Sequence, residues 1–355
     1  MATTQFGLNH PLAVKLWSKK LMYETLKATY FSKFIGKSSN SLIQIMPETN
    51  KEAGDKVTFG LRMLLTGAGV QGDATLEGNE EALAFHSDAV LINQLRHAVR
   101  SDGKMSEQRV PYKMREEARM ALSDWLADKI DTGLMNQLCG VTGVTDTRYT
   151  GNNATITADS THMIVKGGTT EASATASATS AFDLLLIDGA VTKAKMLSPG
   201  LRPIKVNGED KLVMFIHPYQ HYQLRQQTAD GLYMDIQKAA IQGGKNSGNP
   251  IYTGALGEYN GVVLHESNRV PWENTAYNGT SATGVARAVL CGAQAAVIAV
   301  GKDSDTGLGA TWNEELFDYG NQLGVAAGLI FGIKKSVFNS KDFGTVTVSS
   351  YSPAP

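Results

Sequence analysis

The clearest pattern in the chain is a stripe repeating every fourth residue. Met114, Ala118, Leu122, Leu126, Ile130, Leu134 and Leu138 recur at that spacing, with Trp125 beside them. A period near 3.6 is the signature of an amphipathic helix, and it predicts one over 110–138. At ~1.5 Å per residue such a helix runs about 40 Å, long enough to act as a strut. A second helix is predicted from Pro11 to about Phe34, because proline suits a first helical turn. Its apolar positions, Leu12, Leu16, Tyr23, Leu26 and Tyr30, are ragged, with lysines between them.

Between these helices the period changes. Ser41 to Met46 reads as extended, and KVTFGLRMLL (56–65) reads as a strand. Gly67, Gly69, Gly72 and Gly78 then punctuate a turn, and β-prone residues return from Ala84 to Arg100. The two limbs predict a long hairpin whose tip has few large apolar residues. Such a tip cannot bury itself on its own core and needs another surface.

After the long helix, residues 140–180 turn rich in Thr, Ser, Ala and Gly, and EASATASATS (171–180) approaches low complexity. Short strands joined by exposed loops are expected there. A helix follows over 181–197 with Ser180 as N-cap. Next come a strand at 211–216, a helix from Pro218, a helix near 233–241 and a strand at 262–265. The chain closes with strands over 324–338 and 343–349. Helical arm, hairpin, long helix, β segment, compact α/β unit over 181–305 and closing strands make an α+β order without a βαβ repeat.

Composition adds little in total and more in distribution. The chain has 355 residues, 42% of them hydrophobic, and a net charge of −1, so no basic excess marks a nucleic-acid binder. Six lysines (Lys15, Lys19, Lys20, Lys27, Lys33, Lys37) face one acid, Glu24, between residues 10 and 40. Five acids (Asp73, Glu77, Glu80, Glu81, Asp88) stand between 63 and 95 without a Lys or Arg. Both segments can be solvated faces; they can also meet, one copy's basic arm on a neighbour's acidic loop. Two cysteines, Cys139 and Cys291, suggest buried small hydrophobes rather than a disulfide framework. MATTQFGLNH lacks an apolar export core, and the longest apolar run, 324–333, is too short to span a bilayer. A chain made in a reducing cytoplasm, with no membrane partner, is expected.

Motifs with catalytic overtones fail on context. Gly67, Gly69 and Gly72 fit G-x-G-x-x-G, but the acidic stretch 73–78 follows where a phosphate-binding helix should start. Gly36-Lys37-Ser38 would need a glycine at position 31, where Phe31 stands. His217 and His221 are spaced for one helix face, yet Pro218 occupies the position of the zinc-hydrolase glutamate and a third ligand is missing. Glu314 and Glu315 are adjacent, so on a strand they point to opposite faces. No catalytic residue, cofactor or metal is expected.

A set of ordered motifs changes the picture. DKVTF (55–59), GD (72–73), LEGNEE (76–81), LSDW (122–125), ID (130–131) and HP (217–218) occur in that order. NPIYTGALG (249–257), GVVLHE (261–266), WNE (312–314), DYGN (318–321), GIKKSVFN (332–339) and DFG (342–344) follow. Together they resemble the major capsid proteins of N4-like tailed bacteriophages, which have the HK97-type fold. The resemblance runs along most of the chain except 140–180. It implies an N-terminal arm (1–45), an extended hairpin or E-loop (46–100), and a peripheral domain (101–180) containing the spine helix 110–138. It further implies an axial α/β domain (181–305) and closing strands of the peripheral domain (306–355). Implied with it are self-association into pentamers and hexamers of an icosahedral head in the virion, assembled in the host bacterial cytoplasm. Portal, decoration and scaffolding proteins are implied partners, and packaged double-stranded DNA a diffuse contact. Lys15, Trp17, Lys19, Lys20, Gly67, Gly69, Gly72, Asp73, Glu77, Glu80 and Glu81 are the expected intersubunit residues. A tail or decoration subunit, a nonviral encapsulating shell and a soluble hydrolase or oxidoreductase are the competing readings.

Overall fold

The computed structural model describes residues 11–47, 56–62, 68–80, 85–109, 111, 113–171, 174, 180–197, 200–206, 208–226, 255–272, 283–301 and 309–355. Within them the chain begins with α1 (Pro11–Ala28), the short strands β1 (Ile35–Gly36) and β2 (Ile43–Pro47), the pair β3 (Lys56–Arg62) and β4 (Phe85–Leu91), and β5 (Asn93–Arg100). Helices α2 (Lys104–Arg109) and α3 (Met114–Cys139) precede β6 (Met163–Val165). Then come α4 (Leu184–Met196), β7 (Ile204–Val206), β8 (Glu209–Ile216), α5 (Pro218–Gln226), β9 (Ala255–Tyr259) and β10 (Val262–Glu266). Strands β11 (Val285–Cys291), β12 (Ala296–Val300), β13 (Ala310–Phe317), β14 (Gln322–Lys335), β15 (Val337–Phe338), β16 (Lys341–Asp342) and β17 (Thr345–Tyr351) complete the order.

Strand β14 organises a six-stranded sheet. Its apolar run binds β13 along Gln322–Leu329, β5 along Gly324–Phe331, and β12 along Phe331–Lys335, all antiparallel. Strand β2 extends this sheet parallel to β12. A seven-stranded mixed sheet runs β6-β17-β11-β8-β10-β9, with β7 paired to β8. Its strands β8 and β10 are parallel, with α5 and β9 between them in chain order.

The spine of the molecule is α3, whose 26 residues span about 39 Å. The four-residue stripe does what its spacing predicts: Ala118, Leu122, Leu126, Ile130, Leu134 and Leu138 are all buried. They pack with Val325, Leu329, Phe331 and Ile333 of β14. Strand β11 (VARAVLC) is buried on both faces. Val285, Val289 and Cys291 join the α3 core, whereas Ala288 and Leu290 join the α4 core with Phe182, Ile187 and Val191. A strand covered on both sides reads as a continuous apolar run rather than an alternation.

Several sequence expectations change in detail. Helix α1 ends at Ala28, and Tyr30–Phe34 forms a separate 3-10 turn. Its inward face is Ser18, Leu21 and Thr25, while Tyr23 and Leu26 are exposed. The return limb of the hairpin stops at Leu91, where the chain changes partner from β3 to β14. The helix after residue 180 is capped by Asp183, whose carboxylate accepts from Leu186 N at 2.8 Å, not by Ser180. Between 140 and 180 the described residues hold one strand, β6, and much of 150–153 is buried rather than looped out. The helix expected near 233–241 lies outside the described residues.

Candidate assembly surfaces

The hairpin β3–β4 is anchored at one end and bare at the other. At its base Phe59 and Val90 bury against Val297 and Ala299 of β12. The Asn153 side chain grips the peptide groups of Leu91, accepting from its N–H at 3.0 Å and donating to its carbonyl at 2.9 Å. Asp88 forms an ion pair with Lys334 and accepts from Val337 N at 3.4 Å. Gly332 lets the hairpin come this close, since a Cβ there would stand 2.0 Å from the Leu91 carbonyl oxygen. These contacts fix the direction in which the hairpin leaves the body.

The tip behaves differently. Every residue from 71 to 80 is exposed, including Leu76 at 61%. Gly69 and Gly72 adopt left-handed backbone at φ 73° and 68°, which a β-carbon disfavours. Asp73, Glu77 and Glu80 are exposed, and among the described residues the side-chain bonds of the tip are local: Glu80 accepts from Gly78 N at 2.7 Å and Asn79 donates to Thr75 O at 3.0 Å. Among the described residues, 73–80 form turns and irregular backbone after the glycines. Gly67 and Glu81 lie outside the described residues.

The N-terminal arm is held to its own subunit. Trp17 stacks on Trp312 of β13 with ring centroids 5.7 Å apart. Arg119 of α3 pairs with Glu24 at 2.9 Å. Asp131 of α3, buried, accepts from Tyr30 N at 2.8 Å and Phe31 N at 3.3 Å, which tethers the 3-10 turn to the spine. Lys15 lies on α1, and Lys19 and Lys20 are exposed on it. The Lys20 ammonium sits 5.3 Å from the Trp17 ring, and Lys27 sits 4.3 Å over Tyr23. The structure thus brings Trp17 and Lys20 together, and places the acidic tip residues in a separate group on the hairpin.

Titratable groups inside the molecule are structural in arrangement. Arg287 makes a two-pronged pair with Glu171, donating from Nε at 2.6 Å, and also donates to the carbonyls of Cys139 and Gly140. Lys335 and Asp342 pair at 2.6 Å, both buried. Burial pushes the Cys139 thiol up to about 12 and Cys291 well above its usual range, which leaves both as inert thiols. His217 follows β8 and precedes α5, its ring packed on Tyr219 and Trp272; burial lowers its pKa to about 4. His221 binds Glu266 at 2.6 Å. Among the described residues no group of three or more His, Cys, Asp or Glu is placed to hold a metal, and no helix is long and apolar enough to cross a membrane.

Sequence reasoning missed Asn153, Asp88, Lys334, Asp131 and the Arg287–Glu171 pair. For some a signal existed. Arg287 stands in the middle of VARAVLC and Lys335 ends a 14-residue strand of apolar character, and a charge within such a run implies a buried partner.

Comparison with known proteins agrees with this geometry along the whole chain. A family model described as phage capsid protein matches residues 5–354. The chain is 28% identical over 367 aligned residues to the major capsid protein of Pseudomonas phage KPP25, covering 94% of this chain and 93% of that one. It superposes on the capsid of Ralstonia phage GP4 with a TM-score of 0.78 and 35% identity, covering 100% of this chain and 99% of that one. The cyanophage Pam1 capsid asymmetric unit shares the fold, with a TM-score of 0.68 and 20% identity over 93% of this chain and 94% of that one.

Proposed function

This chain belongs to the phage capsid protein family, and on that premise we propose how it works as the major capsid protein of a phage head. It is a structural subunit of the virion, built on the HK97-type fold. In the proposed arrangement, copies associate into pentamers and hexamers that close an icosahedral shell around double-stranded DNA, after assembly in the host cytoplasm. The α/β unit over 181–305 is the axial domain at the ring centres. The spine helix α3, the segments of 101–180 around it and the closing strands β13 and β14 of 306–355 form the peripheral domain, while the last strand, β17, pairs with β11 of the axial unit and β12 pairs with β14. Residues 1–45 are the N-terminal arm. The E-loop, expected over 46–100, is narrowed to the hairpin between Lys56 and Leu91, because β5 belongs to the body sheet.

The observation that carries this reading is the contrast within the hairpin: a base locked by Asn153, Asp88 and Gly332, and a tip exposed from 71 to 80. A rigid base aims a tip that has no partner of its own in this subunit's described contacts. Repeated heterologous contacts with a closing geometry make a shell, and each can be weak because multivalency multiplies them. Portal, scaffolding and decoration proteins are further partners in this proposal, and the family's role is structural, with no catalysis assigned.

Electron microscopy of the purified chain tests it. Spherical shells or ring-shaped capsomers are expected; tubes would instead indicate a tail subunit. Deleting residues 67–78 is expected to leave a folded subunit that builds no shells. Shells of normal form and yield from that variant would overturn the latch.

A further inference from the structure

We infer that the surface receiving the acidic hairpin tip is the open face of the six-stranded sheet of a neighbouring copy, with Arg96 and Arg100 as its anchors. The inference rests on the proposed latch and names its acceptor.

The sheet register defines this face. Arg100, Gly324 and Glu315 form one cross-strand row; Ala98, Ala326 and Asn313 form the next; Arg96, Gly328 and Thr311 form the third. The intervening rows point the other way and are covered: His97 stacks on Trp125 of α3, and Trp312 on Trp17 of α1. The open side is therefore an uncovered face with Arg96, Ala98, Arg100, Asn313 and Glu315 exposed.

Gly324 and Gly328 keep its floor flat. A Cβ on Gly328 would stand 2.8 Å from Arg96 Cγ, and one on Gly324 would stand 2.6 Å from the Phe317 ring. The two glycines let the Arg96 stem and the Phe317 ring lie down on the sheet. Arg100 in turn rests over the Phe317 ring at 4.3 Å and donates to Gln322. Among the described residues neither guanidinium carries a carboxylate partner.

Charge decides the occupant. The exposed tip holds Asp73, Glu77 and Glu80 with no basic residue between 68 and 80. Guanidinium forks match carboxylates better than ammonium groups do, and two lysines of α1, Lys20 and Lys27, already lie against their own aromatic rings. Four residues separate Arg96 from Arg100 on β5, about 13 Å along a strand. At full extension the 22 residues between Arg62 and Phe85 would give each limb at most about 35 Å of reach. Nucleic acid fits the face less well, because Glu315 shares the row of Arg100 and the centre is Ala98 and Ala326 rather than a basic track.

Charge-swap assembly tests the assignment. R96E with R100E is expected to cut shell yield by about tenfold through repeated loss of a weak contact, and D73K with E77K to do the same. Combining all four is expected to restore shells. R96Q with R100Q serves if the reversed pair does not fold, with circular dichroism as the check. Normal shells from the arginine variants, while the 67–78 deletion still blocks assembly, would overturn the acceptor and leave the latch standing. Normal shells from the deletion itself would overturn the latch. Normal empty shells from R96E/R100E together with lost binding of subunits to duplex DNA would reassign the face to nucleic acid and overturn the proposal.

Discussion

Replacing Glu171 with Gln keeps the side chain's shape and removes one charge from the interior. Arg287 is fully buried and lies on the α3 side of β11. Its guanidinium donates twice to Glu171, and Nη1 donates to the carbonyls of Cys139 at 2.8 Å and Gly140 at 3.1 Å. Ser349 of β17 donates its hydroxyl to the same carboxylate at 2.5 Å. One pair therefore ties the end of the spine helix to two strands of the seven-stranded sheet. An arginine does not release its proton inside a protein, so Glu171→Gln leaves an uncompensated buried cation, a loss on the order of 3–5 kcal/mol. With a urea m-value of about 2–3 kcal/mol/M, the unfolding midpoint of the unassembled subunit is expected to fall by roughly 1–2.5 M. Glu171→Leu combined with Arg287→Met removes both charges. It leaves the Cys139 and Gly140 carbonyls short of donors, a cost of about 1–3 kcal/mol. The double variant is therefore expected to be less destabilised than the sum of its singles, read by circular dichroism in urea. A single variant within about 1 kcal/mol of the parent, or strict additivity in the cycle, would refute the reasoning.

Three further outcomes follow from other contacts. Burial holds His217 at about 4 against an ordinary 6.5, and its Nδ1 accepts from Tyr219 N at 3.2 Å. Between those two values the unfolded chain binds a proton that the folded chain refuses, so stability falls as pH falls through that window, by at most about 3 kcal/mol; His217→Gln is expected to flatten that slope, and an unchanged slope contradicts it. Asn153→Ala strips both bonds from the Leu91 peptide, and is expected to cost about 1–3 kcal/mol and to speed amide exchange at Leu91; parental exchange there contradicts the anchoring role. Trp17→Ala removes the stack on Trp312 and is expected to raise tryptic cleavage at Lys19 and Lys20, whereas unchanged cleavage would mean that the arm is held by other contacts.

The spine helix was legible because one spacing persists for seven positions from Met114 to Leu138, and nothing competes with it. The inward face of α1 was not, because Ser18 and Thr25 are polar by type and buried only through the closeness of neighbouring elements. Leu91 to Asn93 changes sheet partner without a glycine or proline, so a continuous β-prone run concealed the hairpin's end. Ser180 and Asp183 are both good capping types, and only the bond to Leu186 N distinguishes them. Residues 150–153 looked like loop by composition. Thr150, Gly151 and Asn153 are buried, the first and last against the Gln137 amide, which donates to their carbonyls at 2.8 and 3.1 Å, and Gly151 where a Cβ would meet Ile333 at 2.4 Å. Those are contacts between distant segments, invisible to a local window. On the candidate surfaces, the acidic tip and the basic arm were visible as charge. The arginine face was not, because it exists only when β5, β14 and β13 are placed side by side.

A reconstruction of the assembled shell at a resolution that traces single chains tests the central claim most directly. The expected result is a closed shell in which the hairpin of residues 56–91 crosses a subunit boundary, its tip between Gly69 and Glu80 resting on another copy. A hairpin tip folded back on its own subunit in every copy, or an assembly that never closes, would contradict the account.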